Sequence, residues 1–119
     1  MCHFTNIDRD YAEMIPDMVA QWELMDKQYD IPYFPHVSLG WDNNPRHHTF
    51  RPGVAKNNTP ANIQKALERA KAYVDSHPNQ PPLVTINSWN EWTEDSYLQP
   101  DDLRGYGYLQ AVKRVFGGA

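Results

Sequence analysis

Glu91 and Glu94 stand three residues apart in the stretch Asn87 to Asp101, NSWNEWTEDSYLQPD, with Trp89 and Trp92 beside them. If this segment turns as a helix, side chains at i and i+3 share a face, with Cβ atoms about 5–6 Å apart. Two carboxylates held that close repel, so one keeps a proton more readily than the other. A site can obtain one general acid and one base from a single residue type in this way. The plain alternative is a pair of solvated acids at a helix N-terminus, where negative charge is favoured in any case.

A second cluster, GWDNNPRHH, runs from Gly40 to His48. Trp41 offers a stacking face, while Asp42 and Asn43 are suited to sugar hydroxyls. Arg46 either joins them or pairs with one of the acids in a structural role. Asp-Asn-Asn-Pro is also ordinary turn chemistry. Together the clusters suit sugar chemistry: retaining glycosidases hold two carboxyl groups about 5–5.5 Å apart, and Trp89 and Trp92 can stack on sugar faces and exclude water. His36, His47 and His48 with Asp42 raise the question of a metal. Adjacent histidines point apart on irregular backbone and the usual ligand spacings are missing, so no metal and no cofactor is expected. Asn57-Asn58-Thr59 is a formal glycosylation triplet, which carries no weight alone.

The elements that must position these residues follow from periodicity. Tyr11, Met14, Ile15, Met18, Val19, Trp22 and Met25 fit one helical face. Pro16 disfavours helix before it, so the main helix is expected over about 16–28. A short buried strand is expected at about 34–39. The segment 42–58 has no period and many turn formers, the pattern of a long loop. Thr59 as N-cap and Pro60 as first helical residue open a helix that ends before Pro78. LVTIN, 83–87, lacks clean alternation, as expected of a strand covered on both faces. Tyr108, Leu109, Val112, Val115 and Phe116 mark a last helix, stopped by Gly117.

Helix, strand, loop, helix, strand, loop, helix is an α/β order with parallel strands joined by crossovers. Two strands do not make a stable doubly covered parallel sheet. A closed (β/α)8 barrel takes about 250 residues, so the chain is expected to be a single partial domain, 1–119, supplying about the last two strands and three helices. In such barrels the active site lies at the C-terminal ends of the strands, where both polar loops would fall.

Bulk composition narrows the function classes. Formal charge is −4 with 11 scattered Lys and Arg, which gives no phosphate-binding footprint and makes nucleic acid an unexpected partner. One cysteine, Cys2, excludes an internal disulfide framework. No apolar run approaches the roughly 20 residues needed to span a bilayer. The opening MCHFTNIDRD lacks the basic and apolar regions of a signal peptide, and localisation stays open because Met1 need not be the natural start.

GWDNNPR, then NSWNEWTEDSYLQPD, then GYGYLQAV resemble, in that order, the C-terminal part of the glycoside hydrolase family 99-like group. That group includes the WbsX-type proteins, often labelled glycosyltransferases from their place in polysaccharide gene clusters. The resemblance runs from about Pro35 to Val112 and covers only the last strands of the family's (β/α)8 barrel. It implies Glu91 as the residue that assists a sugar 2-hydroxyl to attack its own anomeric carbon. It implies Glu94 as general acid/base on the leaving oxygen, Asp42 among the substrate-binding residues, and Asn90 and Trp92 as supports. Thr93 stands where family 99 has His or Gly, Asp95 where glycine is usual, and Gln99 where the WbsX-type pattern usually has Glu. These departures spare the carboxylates and bear on subsite specificity, so the resemblance implies endo action on an α-mannoside-type or another complex glycan, with α-mannoside not assumed. The expected activity is that of a retaining glycoside hydrolase; the alternatives are a non-catalytic binding remnant and a glycosyltransferase. The expected partners are a glycan and the missing barrel portion or an oligomer mate.

Overall fold

Asp10 opens the first helix by accepting the Ala12 amide on its carboxylate at 2.9 Å. The computed structural model describes residues 7–118, so Cys2 and most of the opening segment lie outside the described residues. The helix, α1, spans Tyr11–Gln28 and passes straight through Pro16. It therefore begins five residues earlier than local proline chemistry predicts. Pro16 forfeits one backbone bond and crowds the preceding turn, at a cost of about 3 kcal/mol. Tyr11, Met14 and Ile15 are all buried, and each contributes about 1.5–3 kcal/mol by leaving water. Burial wins.

The second helix, α2, spans Pro60–Asp75, with the Thr59 hydroxyl accepting the Asn62 amide at 3.3 Å. Its stripe of Ile63, Ala66, Leu67 and Ala70 is fully buried. The third helix, α3, spans Gly107–Phe116 and buries Tyr108, Ala111 and Val115 in the same core.

Between the helices run short strands: β1 at Arg9–Asp10, β2 at His36–Ser38, β3 at Ala55–Lys56, β4 at Thr85–Asn87, β5 at Asn90–Glu91 and β6 at Ser96–Tyr97. They form three two-stranded sheets: β1 with β3 and β2 with β4, both parallel, and β5 with β6, antiparallel. The fold is thus α/β, and no closed barrel forms among the described residues. The 42–58 segment is not a featureless loop. It contains a 3-10 turn at Asn44–Arg46 and β3, whose start is fixed by the Asp8 carboxylate accepting the Gly53 and Val54 amides.

The β2–β4 pair has two unlike faces. Pro35, Val37 and Leu39 are buried against the helices, which places His36 and Ser38 on the opposite face. Register puts Thr85 beside His36 and Asn87 beside Ser38. Thr85 is exposed, and Ile86 and Asn87 are half-buried. This corrects the expectation of a β4 covered on both faces: Thr85 is open and Asn87 only half-buried, whereas Ser38 beside Asn87 is buried.

His77, just past α2, clasps the end of α1. Its Nε2 meets Asp26 Oδ2 at 3.0 Å, and its Nδ1 lies 2.7 Å from the Tyr73 carbonyl. The Asp26 hydrogen bond, with help from that carbonyl, holds the imidazole above the usual histidine range. A group whose folded value is raised stabilises the fold fully below its unfolded value, near 6.5, and loses that contribution as pH rises through the folded value. Asp26→Asn should therefore melt a few degrees below wild type at pH 6, a difference of at most about 1 kcal/mol. The two melting curves should converge as pH rises through the folded value.

Candidate functional site

Parallel pairing of β2 and β4 brings their C-terminal ends together, so the two chains leaving them start side by side. Ser38 lies opposite Asn87, and the Leu39 amide extends the ladder to the Asn87 carbonyl at 2.9 Å. After β4 the chain passes a cis Asn87–Ser88 peptide bond and folds back as the β5–β6 hairpin. Two serines fasten its base. Ser96 Oγ donates to the Asn87 carbonyl at 2.7 Å, and Ser88 Oγ donates to the Ser96 carbonyl at 2.8 Å.

At the hairpin tip, Trp92–Glu94 forms a 3-10 turn closed by Asp95 in the left-handed region, φ 51°. Aspartate enters that region more readily than most residues. Its side chain also has a use there: Asn58 Nδ2 donates to Asp95 Oδ2 at 3.2 Å and to the Leu39 carbonyl at 2.9 Å. Burial pushes the Asp95 carboxyl above the usual carboxylate range; the Asn58 bond opposes this, while the charge of Asp42 adds to it. Tyr108 completes the knot by donating its hydroxyl to the Asn58 carbonyl at 2.8 Å. The same knot leaves no room at Gly40, where a Cβ would lie 2.4 Å from Asn58 Nδ2 and 2.5 Å from the Asp95 carbonyl oxygen.

The two glutamates bracket a single 3-10 turn rather than lying on an α-helix. Glu91 ends β5 and Glu94 ends the 3-10 turn. Their carboxylates nevertheless converge on one cation. Arg46 Nη2 meets Glu91 Oε2 at 3.3 Å, Nη1 meets Glu94 Oε2 at 3.0 Å, and Nε donates to Thr93 Oγ1 at 2.6 Å. Arg46 thus pairs with both acids. Their surroundings differ, since the Glu91 side chain is 46% exposed and that of Glu94 only 19%.

Other expected site residues fall around this centre with different jobs. Asp42 accepts the amide and side-chain N–H of Asn44 at 2.9 and 2.7 Å, and its own amide donates to the Glu94 carbonyl at 2.9 Å. Asn43 lies at the entry to the Asn44–Arg46 turn, and Asn90 is exposed on β5 opposite Tyr97. Trp41 is half-buried and packs against the core. Trp89 and Trp92 stay open, at 50% and 44% exposure. The Trp92 ring leans on Tyr97, with centroids 4.0 Å apart, and its indole N–H donates to Gln99 Oε1 at 3.0 Å. Trp92 is therefore a fixed platform with one side braced. Tyr97 in turn donates its hydroxyl to Asp101. His36 pairs through Nδ1 with Thr85 Oγ1 at 2.8 Å on the polar face of the sheet. Among the described residues no group of three or more His, Cys, Asp or Glu side chains is placed to hold a metal ion, and no helix is long and apolar enough to cross a membrane.

Sequence reasoning did not single out Asn44, Asn58 or the structural use of Thr93. Asn44 clips its loop by exchanging bonds with the Arg51 backbone, at 2.6 and 3.1 Å. The available signal for Asn58 was its place immediately before a helix cap.

The chain is 33% identical over 87 residues to the uncharacterized protein WxcX of Xanthomonas campestris pv. campestris, in each of two strains. The match covers 72% of this chain and 12% of the relative, so the chain spans about an eighth of the length of the curated relatives it matches. No solved structure gives a significant match. The family model described as Glycosyltransferase WbsX matches residues 2–112, nearly the whole chain with both acid-bearing loops, and the protein belongs to that family.

Proposed function

We propose that this chain is the C-terminal portion of a (β/α)8 carbohydrate-active enzyme in which Glu91 and Glu94 do the chemistry. One observation carries the reading: two carboxylates from the loop after β4 meet on a guanidinium from the loop after β2. Those loops leave the C-terminal ends of two parallel strands, where barrel enzymes keep their active sites. The less exposed Glu94 suits the general acid/base, and Glu91 suits the group that assists the 2-hydroxyl. Trp92 and Trp89 supply stacking faces. Asp42, Asn43 and Asn90 are the polar groups nearest in sequence to these elements.

The favoured reaction is retaining glycoside hydrolysis. The family description favours a second reading, glycosyl transfer, in which a sugar hydroxyl replaces water as acceptor. The carboxylate roles are the same in both. A third class, a glycan-binding module without turnover, makes a separate prediction. In the longer polypeptide, Glu94→Gln should lose turnover of a glycan while calorimetry still detects binding. Binding by the wild type with no turnover under any acceptor condition would favour the binding module instead.

A further inference from the structure

Arg46, expected among the substrate contacts, directs all three guanidinium nitrogens at acceptors on the facing hairpin. Nε, Nη1 and Nη2 reach Thr93, Glu94 and Glu91 in turn, at 2.6, 3.0 and 3.3 Å. A planar fork with five N–H donors can serve three acceptors in fixed directions, which an ammonium on a flexible stem does not do. We infer that Arg46 is the positioning residue of the carboxylate pair, setting the spacing of Glu91 and Glu94 from the opposite loop. The inference rests on the carboxylate reading above and adds a residue that acts through the acids.

Three features support this role over a stabilising one. The first is exposure: Arg46 and Glu91 are each close to half exposed, and surface ion pairs of this kind add little to stability. The second is the rigidity of its seat. Arg46 closes the Asn44–Arg46 turn, which Asp42 holds from one side through Asn44 and which Asn44 ties to Arg51 on the other. The third is that the two loops are joined a second time, by the Asp42 amide on the Glu94 carbonyl. A guanidinium on a braced turn, facing acids on a braced hairpin, fixes both side chains at once. Without it, like charges would push the two carboxylates apart.

The test uses this chain and does not need a substrate. Three-bond NMR couplings to Cγ report the χ1 rotamers of Glu91 and Glu94. In the wild type both should show one rotamer; in Arg46→Met both should average over rotamers, with Arg46→Lys between the two. The melting temperature should hardly move in either variant. Couplings unchanged in Arg46→Met, or already averaged in the wild type, would overturn the inference. In the longer enzyme, Arg46→Met should lower kcat by about 100-fold, the scale of a misplacement near 1 Å, with KM held within about 3-fold. A raised KM at constant kcat would instead make Arg46 a direct substrate contact and end the positioning role. Failure of the parent reading looks different: Glu94→Gln would then retain turnover, whatever the couplings show.

Discussion

In the longer polypeptide, Glu94→Gln should lower turnover by about 10²–10⁴-fold if Glu94 is the proposed general acid/base, the contribution such catalysis makes when one positioned proton donor is lost. The amide keeps the shape and one acceptor oxygen, so Arg46 Nη1 retains a partner in place of the 3.0 Å ion pair. The fold is at little risk, because Arg46 is half-exposed and the amide keeps a hydrogen-bond acceptor for it, although Glu94 itself is only 19% exposed. Melting should shift by no more than a few degrees while the rate collapses. Loss should be smaller on glycosides with a good leaving group, which need little protonation on departure. Glu91→Gln should lose turnover on good and poor leaving groups alike, since it takes the proton of the 2-hydroxyl as that oxygen displaces either leaving group. The double variant should be barely worse than either single one, as groups acting in a unit are not additive. Wild-type rates in Glu94→Gln would remove it from the chemistry.

Gly40→Ala is the substitution expected to cost the fold most for the smallest chemical change. The added methyl would overlap the Asn58 amide at 2.4 Å and the Asp95 carbonyl at 2.5 Å. Neither neighbour can step aside cheaply. Asn58 is buried and bonded to the Leu39 carbonyl, and Asp95 closes the turn that carries Glu94. Overpacking costs about 1–3 kcal/mol and a broken buried hydrogen bond about as much again, so a loss of about 2–4 kcal/mol is expected. For a domain of this size that is a fall of roughly 10–20 °C in Tm. Gly105→Ala is the control. Gly105 has φ +55° with nothing within 4 Å of its would-be Cβ, so only backbone strain of about 1 kcal/mol or a little more applies. Thermal melts should rank wild type, Gly105→Ala, Gly40→Ala in falling order; equal Tm values for the two variants would contradict the knot.

The same knot shows where sequence is informative and where it is not. Helix α2 was legible because its cap, its N1 proline and its apolar stripe all act within a few residues of each other. The start of α1 was misplaced because Pro16 is a local signal, whereas the burial of Tyr11 and Met14 is decided by partners elsewhere in the chain. Glu91 and Glu94 were legible as a pair from type and spacing. Their convergence comes from a 3-10 turn at a hairpin tip, with Glu91 as its cap and Glu94 as its end, rather than from an α-helix. Asn58, Asn44 and Thr93 work through contacts between loops, and an asparagine or threonine in a polar stretch gives no hint of its partner. Only the structure pairs Asn58 with Leu39 and Asp95, or Thr93 with Arg46.

The polar face of β2 and β4, open at Thr85 and half-open at His36 and Asn87, bears on the barrel proposal. His36, Ser38, Thr85 and Asn87 lie on the side away from the helices, where a closed barrel would have its interior. That face leads directly to the loops bearing the acids. A longer chain that closes over it would turn an open surface into a cleft.

The carboxylate account stands most directly on the anomeric configuration of the first-formed product. Proton NMR of a glycan incubated with the longer polypeptide, recorded before mutarotation, reads it in one spectrum. Closely held carboxylates acting through two successive displacements predict a product with the configuration of the substrate. A first-formed product of inverted configuration would contradict the roles assigned to Glu91 and Glu94.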